Sequence, residues 1–241
     1  MKYALLSDIH GNLEALLAAM DSIAREGVDR VLCVGDIVGY GANPSECIRK
    51  VQELCIPAVI GNHDAASAGK MSTFDFSNVA REAVLWTGKN LTEEDRSFLR
   101  GLGAVYKNED LTIVHGTLFQ PEEFHYMFDK NSARVSFDLM ETDICFVGHT
   151  HVPGMFLKGA DTLTYFYKEK LKFNKTEKMI VNVGSVGQSR DGDPRLCYCI
   201  YDSEKRFIEL KRVKYDINKA QEKILKAALP ASLAYRLSDG T

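Results

Sequence analysis

The feature that most constrains this fold is a set of short apolar runs that recur along the chain. An Asp, His or Gly residue follows each run directly. Continuous apolar runs of this length predict strands that are buried on both faces. The runs cover residues 3–7, 30–34, 57–60, 111–114, 144–147 and 179–183.

Helical patterns lie between the first of these runs. Asn12 is placed to cap a helix that ends near residue 25, and Pro44 opens a second helix that ends near residue 53. Alternating strands and helices predict parallel pairing with right-handed crossovers. Ligands in such sheets collect beyond the carboxyl ends of the strands, which is where the polar residues of this chain fall.

The remaining segments predict a more varied architecture. Residues 73–90 and 92–100 have helical patterns, 161–178 predicts a hairpin, and 196–201 pairs with 207–213. This change from alternating elements to hairpins predicts a second, more antiparallel sheet. We expect one domain over residues 1–241, in which 216–241 is a helical extension. That extension packs either on its own domain or on a second subunit, which would give a homo-oligomer.

Composition narrows the classes of function. The chain has 30 basic and 33 acidic side chains and a net charge of −3, so it lacks the basic excess that is typical of nucleic-acid binders. No stretch approaches the roughly 20 apolar residues of a membrane span, and the first apolar run is too short for a signal peptide. We therefore expect a cytoplasmic protein without a membrane partner. The six cysteines show no Cys-x-x-Cys spacing and are predicted to be reduced, mostly in the core.

The histidines are concentrated where strands are predicted to end. Five of the six occupy such places, and the sixth, His125, lies in an aromatic segment and is expected at an exposed or pocket-rim position. Imidazole and carboxylate ligands suit Mn, Fe, Zn or Ni better than Ca or Mg. Residues two apart point to one side of an extended backbone, so Asp8 pairs with His10 and His149 with His151. The eight candidates exceed the needs of one ion, which indicates two metals with Asp36 as the bridging carboxylate. The candidates are Asp8, His10, Asp36, Asn62, His63, His115, His149 and His151.

The order of these motifs resembles that of the calcineurin-like metallophosphoesterases. The motifs are Asp8-Ile9-His10, Gly35-Asp36, Gly61-Asn62-His63-Asp64, His115 and Gly148-His149-Thr150-His151. The similarity spans residues 8–151 and is closest to the small bacterial and archaeal branch, which includes phosphodiesterases and dinucleoside-polyphosphate hydrolases. It implies an α/β fold, a four-layer α/β/β/α sandwich of two mixed β-sheets flanked by helices, that extends to about residue 213.

The resemblance also implies roles for individual residues. One ion would be held by Asp8, His10 and His151, and the other by Asn62, His115 and His149, with Asp36 shared. His63 would serve as the general acid. The implied cofactors are two divalent transition-metal ions, Mn first, with Fe, Zn or Ni as alternatives.

The implied activity is hydrolysis of a small phosphorylated substrate by metal-activated water. Phosphate esters and phosphoanhydrides, such as nucleotides or dinucleoside polyphosphates, are the expected substrates. The alternatives are a phosphoprotein phosphatase and a non-catalytic scaffold on the same fold. A nuclease is disfavoured by the acidic balance of the chain.

One departure from the family pattern concerns His63. Protein Ser/Thr phosphatases carry Asp-Arg where this chain has Gly39-Tyr40, so the usual carboxylate that orients the histidine is missing. Asp64 or a backbone carbonyl is the expected substitute.

Two further segments are candidates for substrate binding. In the glycine-rich loop 182–195, backbone N–H groups can approach an anion, and Ser185, Arg190 and Arg195 are the predicted contacts; the alternative is a turn with its arginines in solvent. The aromatic segment 117–130 is either the rim of a pocket or a loop tucked under the core. Trp86 is expected to be a core residue.

Overall fold

The computed structural model describes all of residues 1–241 and contains strands and helices in mixed order. The strands are β1 (Lys2–Leu6), β2 (Arg30–Cys33), β3 (Val105–Lys107), β4 (Thr112–Val114), β5 (Ile144–Val147), β6 (Gly154–Lys158), β7 (Leu163–Phe166), β8 (Lys170–Lys172), β9 (Lys178–Asn182), β10 (Leu196–Asp202) and β11 (Phe207–Val213). The helices are α1 (Leu13–Ile23), α2 (Pro44–Glu53), α3 (Asn62–Ser67), α4 (Asn78–Asn90), α5 (Glu93–Gly101), α6 (Lys130–Leu139), α7 (Ile217–Lys226) and α8 (Ala231–Asp239), with a 3₁₀ turn at Pro121–Glu123.

The strands form two mixed sheets. The first has the order β2-β1-β10-β11-β8 and the second β3-β4-β5-β9-β6-β7. β1 is parallel to β2 and antiparallel to β10, so the β10–β11 hairpin extends the first sheet. The predicted separate antiparallel sheet is therefore wrong, because β1 offers this hairpin a buried, unpaired edge.

Alternation along β1 explains the layering. Ala4 and Leu6 belong to the core between the first sheet and α1 and α2, whereas Tyr3 and Leu5 belong to the core between the two sheets. Phe137 of α6 covers the outer face of the second sheet. The predicted α/β/β/α sandwich with two mixed sheets is confirmed.

Several local predictions hold and others fail. The Oδ1 atom of Asn12 caps α1, and Thr92 caps α5 in a capping box with Asp95. The helix predicted from residue 73 begins instead at residue 78, after its cap Ser77. Residues 57–60 make only isolated bridges, through Ala58 and Val59. The predicted 161–178 hairpin is wrong, because β7 pairs with β6 in the second sheet and β8 pairs with β11 in the first.

The C-terminal helices α7 and α8 pack on their own chain. Ile224, Leu233 and Leu237 are buried against Ala83 of α4 and Tyr40, and Trp86 packs against the same cluster, as predicted. No helix has both the length and the apolar character that a membrane crossing requires. All six cysteines are free, and five of them are buried in the core as expected. Cys55 is the exception, because it is exposed.

Candidate metal centre

The predicted metal ligands converge at one end of both sheets. Asp8 and His10 follow β1, Asp36 follows β2, His115 follows β4, and His149 and His151 follow β5. The six side chains are buried. The loops after four strands therefore bring residues that are up to 143 positions apart in sequence, from Asp8 to His151, into one cluster.

The backbone of these loops is not extended. Asp8, His10, Asp36, His149 and His151 all have φ between 50° and 67°, a left-handed region that side-chain-bearing residues rarely adopt. The extended geometry predicted for the two residue pairs is therefore wrong. Strain of this kind concentrates at functional sites, where the surrounding structure holds it in place.

The ligand atoms form two groups that Asp36 connects. Asp8, His10 and His151 form one group, and Asp36, His115 and His149 form the other, with the atoms of each group within 4.8 Å of one another. The Asp36 Oδ2 atom lies 3.3 Å from His115 Nε2 and 3.7 Å from His10 Nε2. One carboxylate oxygen thus reaches toward both groups, as a bridging ligand must.

Backbone carbonyls orient three of the imidazoles. The Nδ1 atoms of His10, His115 and His151 lie 3.1, 2.8 and 2.6 Å from the carbonyl oxygens of Val38, Val34 and Gln188. Each Nδ1–H can donate to its carbonyl, which leaves the Nε2 lone pair for a metal.

Unpartnered buried atoms show that the cluster fits cations. The Nε2 atoms of His10 and His151 face each other at 3.0 Å. Asp8 Oδ1, Asn62 Oδ1 and His115 Nε2 are buried without a hydrogen-bond partner. Buried polar atoms are costly unless they are paired, and these atoms are nitrogen and oxygen donors that suit divalent transition metals.

Electrostatics favours the protonation states that a metal needs in His10, His149 and Asp36, but not in His115. Burial lowers the pKa of His149 to about 3 and that of His10 well below its usual range. Burial would raise the pKa of Asp36, but the neighbouring His115 and His63 hold it well below its usual value. Burial also lowers the pKa of His115, yet the Asp36 charge outweighs this effect and raises it to about 9. A metal bound there must displace the His115 proton.

His63 is held by aromatic packing. Its ring centroid lies 4.4 Å from that of Tyr40, 5.1 Å from Phe76 and 4.8 Å from His10. Burial lowers its pKa to about 4. Its Nδ1 atom is buried and has no partner, so Nε2 is the nitrogen left to face the cavity. His63 also comes within 4.8 Å of ligand atoms of His10 and Asp36.

Asp64 does not orient His63, which corrects the prediction. Its Oδ1 accepts from the backbone N–H of Val38 at 3.0 Å, and its Oδ2 accepts from that of Gly61 at 3.1 Å. Burial raises its pKa to about 7. Asp64 joins the start of α3 to the loop after β2, and no backbone carbonyl takes its place at His63 Nδ1.

The three residues predicted to contact substrate lie in different places. Arg190 reaches the site, where Nη2 donates to the Tyr40 hydroxyl at 3.2 Å and to Gln188 Oε1 at 3.0 Å. Arg195 lies elsewhere and pairs with Asp193 at 2.6 Å. Ser185 is fully buried; its Oγ donates to the Asp8 carbonyl and accepts from the Gln188 N–H. Of the three predicted contacts, only Arg190 lines the cavity over the metal cluster.

A cavity of about 470 Å³ opens over the metal cluster. Asn62, His63 and His149 line it, together with His125, whose predicted rim position is confirmed. The Tyr126 ring stacks on His149 at 3.8 Å between centroids. The aromatic segment therefore forms part of the rim, while its Phe124 and Met127 side chains are buried.

The sequence marked Tyr126 only as a member of the aromatic segment, and it did not single out Phe76 or Arg236 as cavity residues. Arg236 of α8 also lines the cavity, and no motif marks it. Only the docking of α8 reveals its position.

Comparison with known proteins shows where this chain belongs. Residues 1–206 match the family model described as the calcineurin-like phosphoesterase superfamily domain. An uncharacterized protein of Methanocaldococcus jannaschii, MJ0912, is 39% identical over 238 residues, which cover 97% of this chain and 96% of that protein. The crystal structure of a metallophosphoesterase from Sphaerobacter thermophilus is 38% identical with a TM-score of 0.88, covering 100% of this chain and 99% of that one. Phosphodiesterase YfcE of Escherichia coli K12 is 24% identical over 163 residues, 64% of this chain and 71% of that protein.

Proposed function

Because the chain belongs to the calcineurin-like phosphoesterase superfamily, we propose that it is a binuclear-metal-dependent hydrolase of small phosphate esters or phosphoanhydrides. The observation that carries this proposal is the pair of ligand groups joined by Asp36 Oδ2. Asp8, His10, His151 and Asp36 would hold one ion, and Asn62, His115, His149 and Asp36 the other. Mn²⁺ is the first candidate, with Fe, Zn and Ni as alternatives, and the proposed compartment is the cytoplasm.

Two divalent ions held by these residues would supply Lewis acidity for phosphoryl oxygens and would lower the pKa of bound water. The protein supplies a proton at the leaving oxygen through His63 Nε2. Burial keeps this imidazole neutral near pH 7, and a bound phosphate anion raises its pKa by favouring the charged form. Nε2 then acts as the general acid.

Arg190 is the proposed phosphate clamp. Its guanidinium lies 5.7 Å from the Tyr40 ring centroid, and Tyr40 in turn packs on His63. This arrangement holds a permanent positive charge beside the proton donor. A guanidinium can bind two phosphate oxygens at once.

The test uses the Mn²⁺-loaded protein with p-nitrophenyl phosphate and bis-p-nitrophenyl phosphate. We expect hydrolysis of at least one of them, and we expect His63→Ala to lower kcat by about 10²–10⁴-fold, as for loss of a general acid. Metal content measured on the same samples should stay at the wild-type level. An inert wild-type protein across a wide panel of phosphate compounds would contradict the proposal.

The alternatives predict different results. A phosphoprotein phosphatase would prefer phosphopeptides in that panel, but the chain has Gly39-Tyr40 in place of the Asp-Arg pair of those enzymes. A scaffold protein would bind partners without hydrolysis. The intact ligand set and the buried His63 argue against it.

A further inference from the structure

Two guanidinium groups without carboxylate partners line the cavity above the metal cluster. Arg190 comes from the loop after β9, and Arg236 comes from α8. Their side-chain hydrogen bonds go to Gln188 and Tyr40 for Arg190 and to Thr241 for Arg236, and neither is paired with an Asp or Glu side chain. The Nε atom of Arg236 donates to the Thr241 backbone oxygen at 2.7 Å, so its two Nη groups remain available for a ligand.

Arg190 lies next to the proposed catalytic residues, and Arg236 lies next to Arg190. Arg190 lies beside the metal cluster, because its backbone N–H donates to the His151 carbonyl at 3.4 Å and its guanidinium lies 5.7 Å from the ring of Tyr40, which packs on His63. Burial lowers the pKa of Arg236, and its charged neighbour is Arg190. Two adjacent like charges that are partly removed from water repel each other. An anion between them would relieve that repulsion.

The charges of the site exceed those of one phosphate ester. With two divalent ions bound, Asp8 and Asp36 would leave the centre a net charge of about +2, and Arg190 and Arg236 would add two further positive charges. A phosphate monoester carries about −1.5 to −2 near pH 7. Asp75 and Glu123 also line the cavity, but both are exposed and make no ion pair with the arginines, so solvent screens them.

From this arrangement we infer that Arg236 binds a second phosphoryl group of the substrate, next to the group that the metal centre and Arg190 would hold. The substrate class is then a compound with two neighbouring phosphoryl groups, joined as a phosphoanhydride. This inference rests on the proposed function and narrows it. Arg236 lies beyond residues 1–206 that match the family model, so the C-terminal helical extension supplies a specificity-determining residue.

The experiment measures anion binding and does not depend on turnover. Imidodiphosphate, which keeps two linked phosphoryl groups but resists hydrolysis, and orthophosphate are titrated calorimetrically into the Mn²⁺-loaded protein. We expect Arg236→Gln to weaken imidodiphosphate binding by about 10-fold or more, the loss expected for charge-assisted hydrogen bonds. Orthophosphate binding should change by less than about threefold, because the metal centre and Arg190 still hold one phosphate.

Matched variants control for charge and folding. Arg25→Gln removes an exposed arginine at the end of α1, away from the cavity, and should leave the binding of both anions unchanged. Arg236→Lys keeps the charge without the planar fork and should recover part of the lost affinity. Thermal unfolding and metal content are measured for each variant, and the Lys variant carries the comparison if the Gln variant does not fold.

Equal weakening of both anions by Arg236→Gln would overturn the inference, because Arg236 would then bind the same phosphate as the metals. No weakening of either anion would overturn it as well. Hydrolysis of simple phosphate esters by the wild-type protein is measured separately. Failure of the proposed function would appear as a lack of hydrolysis, whereas failure of this inference would appear in the binding of the two anions. The two failures are therefore distinguishable.

Discussion

At the scale of single residues, the position of the His63 ring depends on the lack of a side chain at Gly39. Gly39 has φ of +99°, and a Cβ atom there would lie 2.5 Å from His63 Nδ1. Any side chain at this position would displace the imidazole. Tyr40 and Phe76 fix the ring by packing instead. This chain therefore orients its proposed acid by ring contacts, without the carboxylate that the sequence comparison led us to seek at Asp64.

Gly39→Ala tests this account. We expect kcat to fall by about 10²-fold, because a displacement of about 1 Å in a catalytic group has that effect. The free energy of unfolding should fall by about 1–3 kcal/mol from backbone strain. Steady-state kinetics and urea unfolding provide the measurements.

Gly69→Ala is the matched control for the Gly39 variant. Gly69 also has a positive φ, +78°, but a Cβ atom there meets nothing within 4 Å. It should lose stability through strain and keep the wild-type kcat. A normal kcat in Gly39→Ala would contradict the steric role that we assign to this glycine.

At the scale of elements, α8 connects the stability of the fold to the cavity. Leu233 is fully buried among Ala220, Ile224 and residues of α4, and Arg236 stands one turn farther along the same helix. Loss of packing under α8 should therefore weaken both the fold and the anion site. α7 has an outer face as well, on which Leu225 is 44% exposed.

Leu233→Ala is expected to lower the free energy of unfolding by about 2–5 kcal/mol, the usual range for a leucine removed from a packed core. Leu225→Ala should change it by no more than about 0.5 kcal/mol, as is typical of surface positions. Denaturant unfolding at equilibrium measures both. Similar losses in the two variants would show that α7 and α8 do not pack as described.

Elements also account for the wrong predictions. Alternation of aromatic and charged residues in 161–178 correctly indicates extended backbone, but β7 and β8 join different sheets. Local patterns carry no information about which distant strand supplies the hydrogen-bonding edge. The same reason explains why β10 and β11 were expected in a sheet of their own.

At the scale of the whole molecule, the candidate metal ligands come from both sheets. Asp8, His10 and Asp36 follow strands of the first sheet, whereas His115, His149 and His151 follow strands of the second. Bound ions would therefore link the halves of the sandwich. A ligand that binds only the folded state stabilises it by mass action.

Removal of metal with a chelator should lower the unfolding temperature. At a free metal concentration of 100 times Kd, each site contributes about 2.7 kcal/mol to the folded state. Calorimetry with and without Mn²⁺ measures the change, and added Mn²⁺ should restore the original value. Asp36→Asn removes the shared ligand and should show a much smaller response to the chelator. If the unfolding temperature of the wild-type protein is the same with and without metal, bound ions do not link the two sheets.

The strand–helix alternation, the candidate ligands of two metal ions and the candidate role of His63 could all be predicted from the sequence, because ordered motifs at strand ends are local features. Three outcomes became visible only in the folded structure: the division of the strands between two sheets, the hydrogen bonds of Asp64 and Ser185 to backbone groups, and the position of Arg195 away from the cavity. The structure also placed Tyr126 and Arg236 in the cavity. These outcomes depend on contacts between segments far apart in the chain, where burial and the pairing of polar groups select among arrangements that local patterns leave equally possible.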